Sequence, residues 1–347
     1  MPRKDIGNSG CTRRDLLIAA GNCSILTATS PLMGAGLLRK PTLGGTFLQP
    51  LNETRTWTRE QWLGLFQQLA RLHLSRLILQ WVESDGTKFY ETGTEPHSPV
   101  LQIILDLAAQ TNIQVMVGLL HDSAYWQAVG RDAGQVREYF AARESRTVSI
   151  INAVLPIVSA HRHFGGWFMT EEIDDINWQE PAPAAILQSY LHRVTGYLRL
   201  VTPEAAIAIS GFANSNSPPA RLRSFWQELL GAVPAIGIVM FQDGIGARKL
   251  TLGQLPAYFA SVRAATRYTG RRLWSVVEIF EQTAGTPLDT NPFAAVAAPF
   301  PRVLEQMQLG AGYASELIAF TAFDYMLSAA TASARILQSS YSAYLDQ

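Results

Sequence analysis

The chain has 347 residues, with 28 basic and 28 acidic side chains, no formal net charge, 48% apolar and 16% charged residues. Those proportions fit a chain that buries a large core and exclude a disordered one, and the length allows one large domain or two ordinary ones. Charge is unevenly placed: residues 1–40 hold six Lys/Arg against Asp5 and Asp15, which leaves a body of 22 basic and 26 acidic residues, without the basic excess that nucleic acid would demand.

The N-terminal segment accounts for the asymmetry. Thr12-Arg-Arg-Asp-Leu-Leu17 comes after a polar, basic lead, and a modestly apolar stretch rich in Ala, Gly, Leu and Ser continues to Leu38. This pattern resembles a twin-arginine export signal, with Gly34-Ala35-Gly36 as small-residue surroundings for cleavage. An amphipathic N-terminal helix is the plainer alternative. Asn22, Ser24, Thr27, Ser30 and Pro31 interrupt the run, so stable membrane insertion is not expected. The resemblance implies a signal and short linker over 1–40, a domain over 41–347, and an exported protein, periplasmic or secreted. Both cysteines, Cys11 and Cys23, lie in the signal. The body then has no thiol for a disulfide or a Cys-ligated metal.

From residue 44 onward short apolar runs alternate with amphipathic stretches. The runs at 45–49, 76–82, 114–120, 166–170, 206–212, 236–241, 273–279 and 317–323 predict strands. Between and after them, 59–72, 99–111, 135–160, 184–201, 219–230, 252–269, 299–309 and 329–345 predict helices. In the first helix Trp62, Leu65, Phe66, Leu69 and Leu72 recur at spacings of three and four, and Thr58 stands as a natural N-cap. Eight strands alternating with eight helices fit a single α/β (β/α)8 TIM barrel. A doubly wound open sheet would carry a Gly-rich phosphate turn after its first strand. Here the first strand runs into Gln49-Pro50-Leu51-Asn52 instead. No phosphate-cradling glycine pattern comes after any strand, so no nucleotide cofactor is expected.

In such a barrel the site is assembled from residues at and just beyond the C-terminal end of each strand. Read in order, the strand ends supply Gln49; Gln80, Trp81 and Glu83; His121, Asp122, Tyr125 and Trp126; Glu171, Glu172, Asp174 and Asp175, with Trp178 close behind; Asn214 and Asn216; Gln242 and Asp243; Glu278 and Glu281; and Asp324 and Tyr325. Helix capping explains part of the Asp and Asn among them. It does not explain Glu278, which sits inside the apolar run Leu273-Trp-Ser-Val-Val-Glu-Ile-Phe280 and must be paired, protonated or used in chemistry. The stretch Phe164-Gly-Gly-Trp-Phe-Met-Thr-Glu-Glu-Ile-Asp-Asp-Ile-Asn-Trp178 ends an apolar strand in four acids beside tryptophans. Rings stack on the apolar face of a sugar while carboxylates handle its hydroxyls and glycosidic oxygen, so a carbohydrate is the expected ligand. The bland reading is an acidic helix N-terminus.

Gly45-Thr-Phe-Leu-Gln49, Leu79-Gln-Trp81, Gly118-Leu-Leu-His-Asp122 with Tyr125-Trp126, and Gly166-Trp-Phe-Met-Thr-Glu-Glu-Ile-Asp174 resemble a family of exported bacterial barrel proteins of unassigned function, related to retaining glycoside hydrolases. The larger clan places an acid/base Glu after the fourth strand and a nucleophile Glu after the seventh. The resemblance therefore implies Glu171 or Glu172 as acid/base and Glu278 as nucleophile. Many clan members have Asn just before the acid, where Thr170 or Glu171 stands here. Gln49, Gln80, Trp81, Asp122, Trp126, Asp174, Asp175, Trp178, Asn214, Gln242, Asp243, Asp324 and Tyr325 are the expected substrate-binding residues.

Successive residues of a strand face opposite ways, so only one of Glu171 and Glu172 can face the pocket. Repulsion within the cluster of Glu171, Glu172, Asp174 and Asp175 would raise the acid's pKa. His161 and His163 flank Arg162 at a helix end, at the wrong end of the barrel for a metal site, and no metal is expected. A non-catalytic carbohydrate-binding barrel in exopolysaccharide assembly or secretion is the competing function. Nothing in the sequence bears on the oligomeric state.

Overall fold

The computed structural model describes residues 40–91, 99–327 and 331–347; the expected export signal and both cysteines lie outside them. The barrel strands are Gly45–Leu48, Arg76–Leu79, Gln114–Gly118, Phe164–Ile173, Ile207–Gly211, Ile238–Gln242, Arg272–Glu278 and Glu316–Phe320. Each pairs in parallel with its sequence neighbours, and the first closes on the eighth through Gly45↔Ile318 and Thr46↔Ala319. Helices Arg59–Arg71, Val100–Thr111, Ala133–Ser159, Pro181–Val201, Pro219–Ala232, Leu255–Tyr268, Phe300–Ala311 and Ala332–Leu345 complete the eight units. The chain is therefore a closed (β/α)8 TIM barrel, and Pro41–Gln347 form one compact unit.

Local chemistry explains the elements. Thr58 caps the first helix as expected, and Gln61 returns a side-chain bond to the Thr58 N–H, completing a capping box. Along the strands, alternation sorts the apolar residues into two shells. Phe47, Ile78, Met116, Phe168, Met240, Trp274, Val276 and Ile318 fill the barrel interior. Leu77, Leu79, Val115, Val117, Trp167 and Met169 pack outward beneath the helices. The same alternation decides which side chains the barrel presents at its C-terminal mouth.

The structure departs from the expected elements at that mouth. The fourth strand runs on to Ile173, so Glu171 and Glu172 belong to the strand itself. Its register against the fifth strand shifts between Met169 and Glu172. Gly166, third in this strand, has φ +126, and a Cβ there would lie 2.2 Å from the Ala206 carbonyl oxygen. Only glycine fits there. Three small additions crown the barrel: a sheet of Glu83–Ser84, Thr87–Lys88 and Leu120–His121, a short helix Tyr125–Val129, and a hairpin pairing Phe280–Ala284 with Ala294–Ala297. Pieces this short show no readable period in the sequence.

Candidate active site

A cavity of about 320 Å³ opens at the C-terminal mouth of the barrel, and Gln49, Gln80, Trp81, Asp122, Trp126, Glu172, Gln242 and Glu278 line it. These eight are the expected site residues that the structure brings together. They come from the ends of strands one, two, three, four, six and seven. Most occupy the inward parity set by Phe47, Ile78, Phe168, Met240 and Val276.

The two neighbouring glutamates separate as a strand requires. Glu172 faces the cavity, where Gln242 Nε2 donates to its Oε1 at 2.8 Å. Glu171 points the other way and is 1% exposed. Its Oε1 accepts from Arg143 Nε at 2.7 Å and from the Tyr190 hydroxyl at 2.7 Å. Arg143 also donates to the Leu120 carbonyl at 2.6 Å and to Thr170 Oγ1 at 3.0 Å. Glu171 is thus a wall residue, and the catalytic role offered to it falls away.

Glu278 enters from the seventh strand, 3% exposed. The Ala247 N–H donates to its Oε2 at 2.7 Å. The loop after strand six lies close against it: a Cβ at Gly246 would come 2.9 Å from Glu278 Cβ and 2.5 Å from the Phe280 carbonyl oxygen. Burial, then the nearby Asp243 carboxyl, push the Glu278 carboxyl up from its ordinary value. Ala247 N–H, Lys249 and Arg302 oppose them.

Aromatic walls flank the carboxyls. Trp81 stacks on His121 at 4.3 Å, and its indole N–H is held by the Pro50 carbonyl at 3.0 Å. Burial pushes the His121 imidazole below its ordinary value. Trp126, 41% exposed, meets Phe212 at 5.7 Å. Lys249 Nζ lies 3.1 Å from the Phe212 ring centroid, a cation–π contact inside the cavity wall. Burial pushes this ammonium down, against the pull of Glu172 and Glu278. On the other side stand Phe280 and the 58%-exposed Phe293 of the hairpin, 5.9 Å apart. Asp122 is fixed by the Tyr139 hydroxyl at 2.8 Å.

Several expected substrate-binding residues belong elsewhere. Asp175 accepts the N–H groups of Asn214, Asn216 and Ser217 at 2.7, 2.9 and 2.8 Å, and thereby pins the loop after strand five. Asn214 is consequently a partner of Asp175 and not a cavity residue. Asp174 holds Asn177 through its N–H and side chain. Trp178 is packed beside Phe140 in the outer core, and Trp167 is buried there as well. Asp174, Asp175 and Trp178 border a separate hollow between helices Pro181–Val201 and Pro219–Ala232. Asp243 is 1% exposed behind Glu278. Asp324 bonds Thr321, and Tyr325 backs Phe280 at 5.3 Å. Each acid of the cluster after strand four has its own hydrogen-bond partners. For Asp174 the pKa is pushed up by burial first, with Asp175 a small contributor.

Arg143, Lys249 and Phe293 belong to the site and were not anticipated. Arg143 had a readable signal: it occupies the buried stripe of its helix with Val136, Phe140, Thr147 and Ile150. A buried arginine on such a stripe calls for a carboxylate. Among the described residues no cluster of three or more His, Cys, Asp or Glu is arranged to hold a metal ion, and no helix is long and apolar enough to cross a membrane.

The fold is a (β/α)8 TIM barrel whose C-terminal mouth holds a cavity lined by carboxyl, amide and aromatic side chains. The chain belongs to the family described as Domain of unknown function (DUF4434), which matches residues 43–333. It is 29% identical over 222 residues to the uncharacterized protein YbcH of Escherichia coli (strain K12), spanning 62% of this chain and 69% of that one. Among solved structures it is similar to the "putative alpha-L-fucosidase" of Bacteroides thetaiotaomicron, with TM-score 0.68, 17% identity, and 88% and 96% of the two chains covered. It is also similar to the beta-galactosidase of Marinomonas ef1, with TM-score 0.51, 10% identity, and 81% and 54% covered. At those identities the likeness is one of fold.

Proposed function

We propose that this protein is a glycoside hydrolase-like enzyme that acts on a poly- or oligosaccharide by a two-carboxylate, retaining mechanism, with Glu172 and Glu278 as the pair. One observation carries the proposal: Glu172 on strand four and Glu278 on strand seven line the same ring-walled cavity. In retention one carboxyl protonates the leaving oxygen while the other attacks the anomeric carbon, the two lying about 5–5.5 Å apart. Water, activated by the first group, then releases the sugar and restores the starting charges. Trp126, Trp81 and Phe280 offer ring faces to a pyranose, and Gln49, Gln80 and Gln242 offer hydrogen bonds to its hydroxyls. No cofactor takes part in this scheme. The proposal includes export by the twin-arginine route, on the pattern of residues 12–17.

The test is turnover by Glu172→Gln and Glu278→Gln, each against wild type, on a panel of 4-nitrophenyl glycosides and bacterial polysaccharides. Each variant should lose about 10³-fold or more in kcat, because the two groups act as a unit, while polysaccharide binding persists. A wild-type protein that binds glycans but cleaves none of the panel would replace the enzyme with a non-catalytic carbohydrate-binding barrel, and variants that cleave as wild type does would overturn the assignment of Glu172 and Glu278 as the pair.

A further inference from the structure

Asp243 lies directly behind Glu278, and the two buried carboxyls are hydrogen-bonded in opposite fashion. Asp243 receives donors on both oxygens: Ile245 N–H reaches Oδ1 at 3.1 Å, Gln306 Nε2 reaches Oδ2 at 2.6 Å, and the Glu278 N–H lies 3.3 and 3.4 Å from the two. Gln306 cannot easily reverse its amide, because the same Nε2 also donates to the Glu278 carbonyl at 3.2 Å. It therefore offers Asp243 a donor, and a carboxyl that meets only donors is favoured in its charged form. Glu278 accepts one protein donor, on Oε2. Its Oε1 makes no hydrogen bond among the described residues, and the residue lines the cavity.

We infer that Asp243 is a positioning residue that keeps the proton of the free protein on Glu278, at the oxygen facing the cavity. Asp243 rests on the Glu278 backbone N–H, and two buried carboxyls so near each other are not both favoured in the charged form; burial pushes Asp243 up as well, but its three donors oppose that, so it keeps the charge. The upward displacement of Glu278 by burial and Asp243 agrees. The other groups facing Glu278 are Lys249 from the same loop, Arg302 from helix Phe300–Ala311, Tyr325 from the short helix after strand eight, and Glu172 across the cavity. Lys249 and Arg302 pull toward the ionised form. They do so against burial and an acid directly behind the strand. Within the proposed mechanism, on which this consequence rests, Glu278 becomes the proton donor to the leaving oxygen. Glu172 is left as the nucleophile, the reverse of the roles implied by the clan resemblance. The proton passes from Glu278 to the glycosidic oxygen as Glu172 bonds the anomeric carbon and the bond to the leaving alcohol breaks; water then gives one proton to Glu278 and its hydroxyl to the anomeric carbon as the Glu172–sugar bond breaks.

Difference infrared spectroscopy of the sugar-free protein tests the proton's location without any substrate. The wild type should show a protonated-carboxyl C=O band at neutral pH that is missing from Glu278→Gln and fades as pH rises. Asp243→Asn should move that fading to lower pH by about one unit or more, because a buried like charge has been removed. Gln306→Leu provides a second route: without its donor Asp243 takes up the proton more readily, and the Glu278 band should again fade at lower pH. A band that survives in Glu278→Gln, or that titrates unchanged in both other variants, overturns the inference. Since the readout ignores turnover, its failure is separate from that of the hydrolase proposal.

Discussion

Arg143 is 4% exposed and delivers its guanidinium to Glu171, Thr170 and the Leu120 carbonyl, so that one side chain ties helix Ala133–Ser159 to strand four and to the short strand Leu120–His121. A buried ion pair of this kind adds little over an apolar packing, yet leaving one partner alone is costly. Glu171→Ala should therefore lower unfolding stability by about 3–5 kcal/mol, because Arg143 stays buried without its carboxylate. Glu172→Ala, at a half-buried cavity position with one side-chain donor, should cost far less. Urea unfolding at neutral pH compares the two. Equal stabilities would mean that the Arg143 pair does not hold the wall. The contrast also separates two neighbouring glutamates by phenotype: one is expected to fail in folding, the other in turnover.

At the scale of elements, the hairpin Phe280–Ala284 with Ala294–Ala297 and the short helix Tyr125–Val129 raise opposite banks beside the cavity. Trp126 and Phe293 top these banks and remain exposed. Each ring is placed to meet a sugar unit beyond the bond being cleaved. Trp126→Ala and Phe293→Ala should raise KM for a long polysaccharide by about 3–10-fold each, the worth of one aromatic contact. Activity on a short aryl glycoside should be spared. If both variants bind long and short substrates as wild type does, the banks are not part of the groove. These banks also show where the sequence stopped being legible. The eight strands and helices were readable because each is long enough to express a period of 2 or 3.6. The inward ends of strands one, two, six and seven were readable too, and Gln49, Gln80, Gln242 and Glu278 line the cavity. The acids after strand four were not, because Asp174 and Asp175 resemble site residues by position and differ in partners: Asp174 holds Asn177 of its own loop, and Asp175 holds Asn214 and Ser217 from the loop after strand five. Parity alone would have chosen Glu172, since it shares the inward phase of Phe168 and Thr170.

The barrel closes by joining its own two ends. Strand one pairs with strand eight, Leu43 is buried with its N–H on the Tyr341 hydroxyl at 2.9 Å, and the Tyr344 hydroxyl reaches the Pro41 carbonyl at 3.0 Å. These contacts tie the start of the barrel to the helix Ala332–Leu345, across nearly the full chain. A processed N-terminus must therefore lie upstream of Pro41, since cleavage beyond Leu43 would remove a buried side chain and the donor to Tyr341. If residues 1–40 act as a twin-arginine signal, N-terminal sequencing of the exported protein should place its first residue between Gly34 and Lys40. The paired guanidiniums of Arg13 and Arg14 are the expected recognition feature, and lysine does not reproduce their planar, forked donors. Replacing both by Lys should leave the full-length chain in the cytoplasm. The barrel should still fold there, because its body holds no cysteine that would need an oxidising compartment. A doubly substituted protein recovered outside the cytoplasm with its first residues removed would assign export to another route.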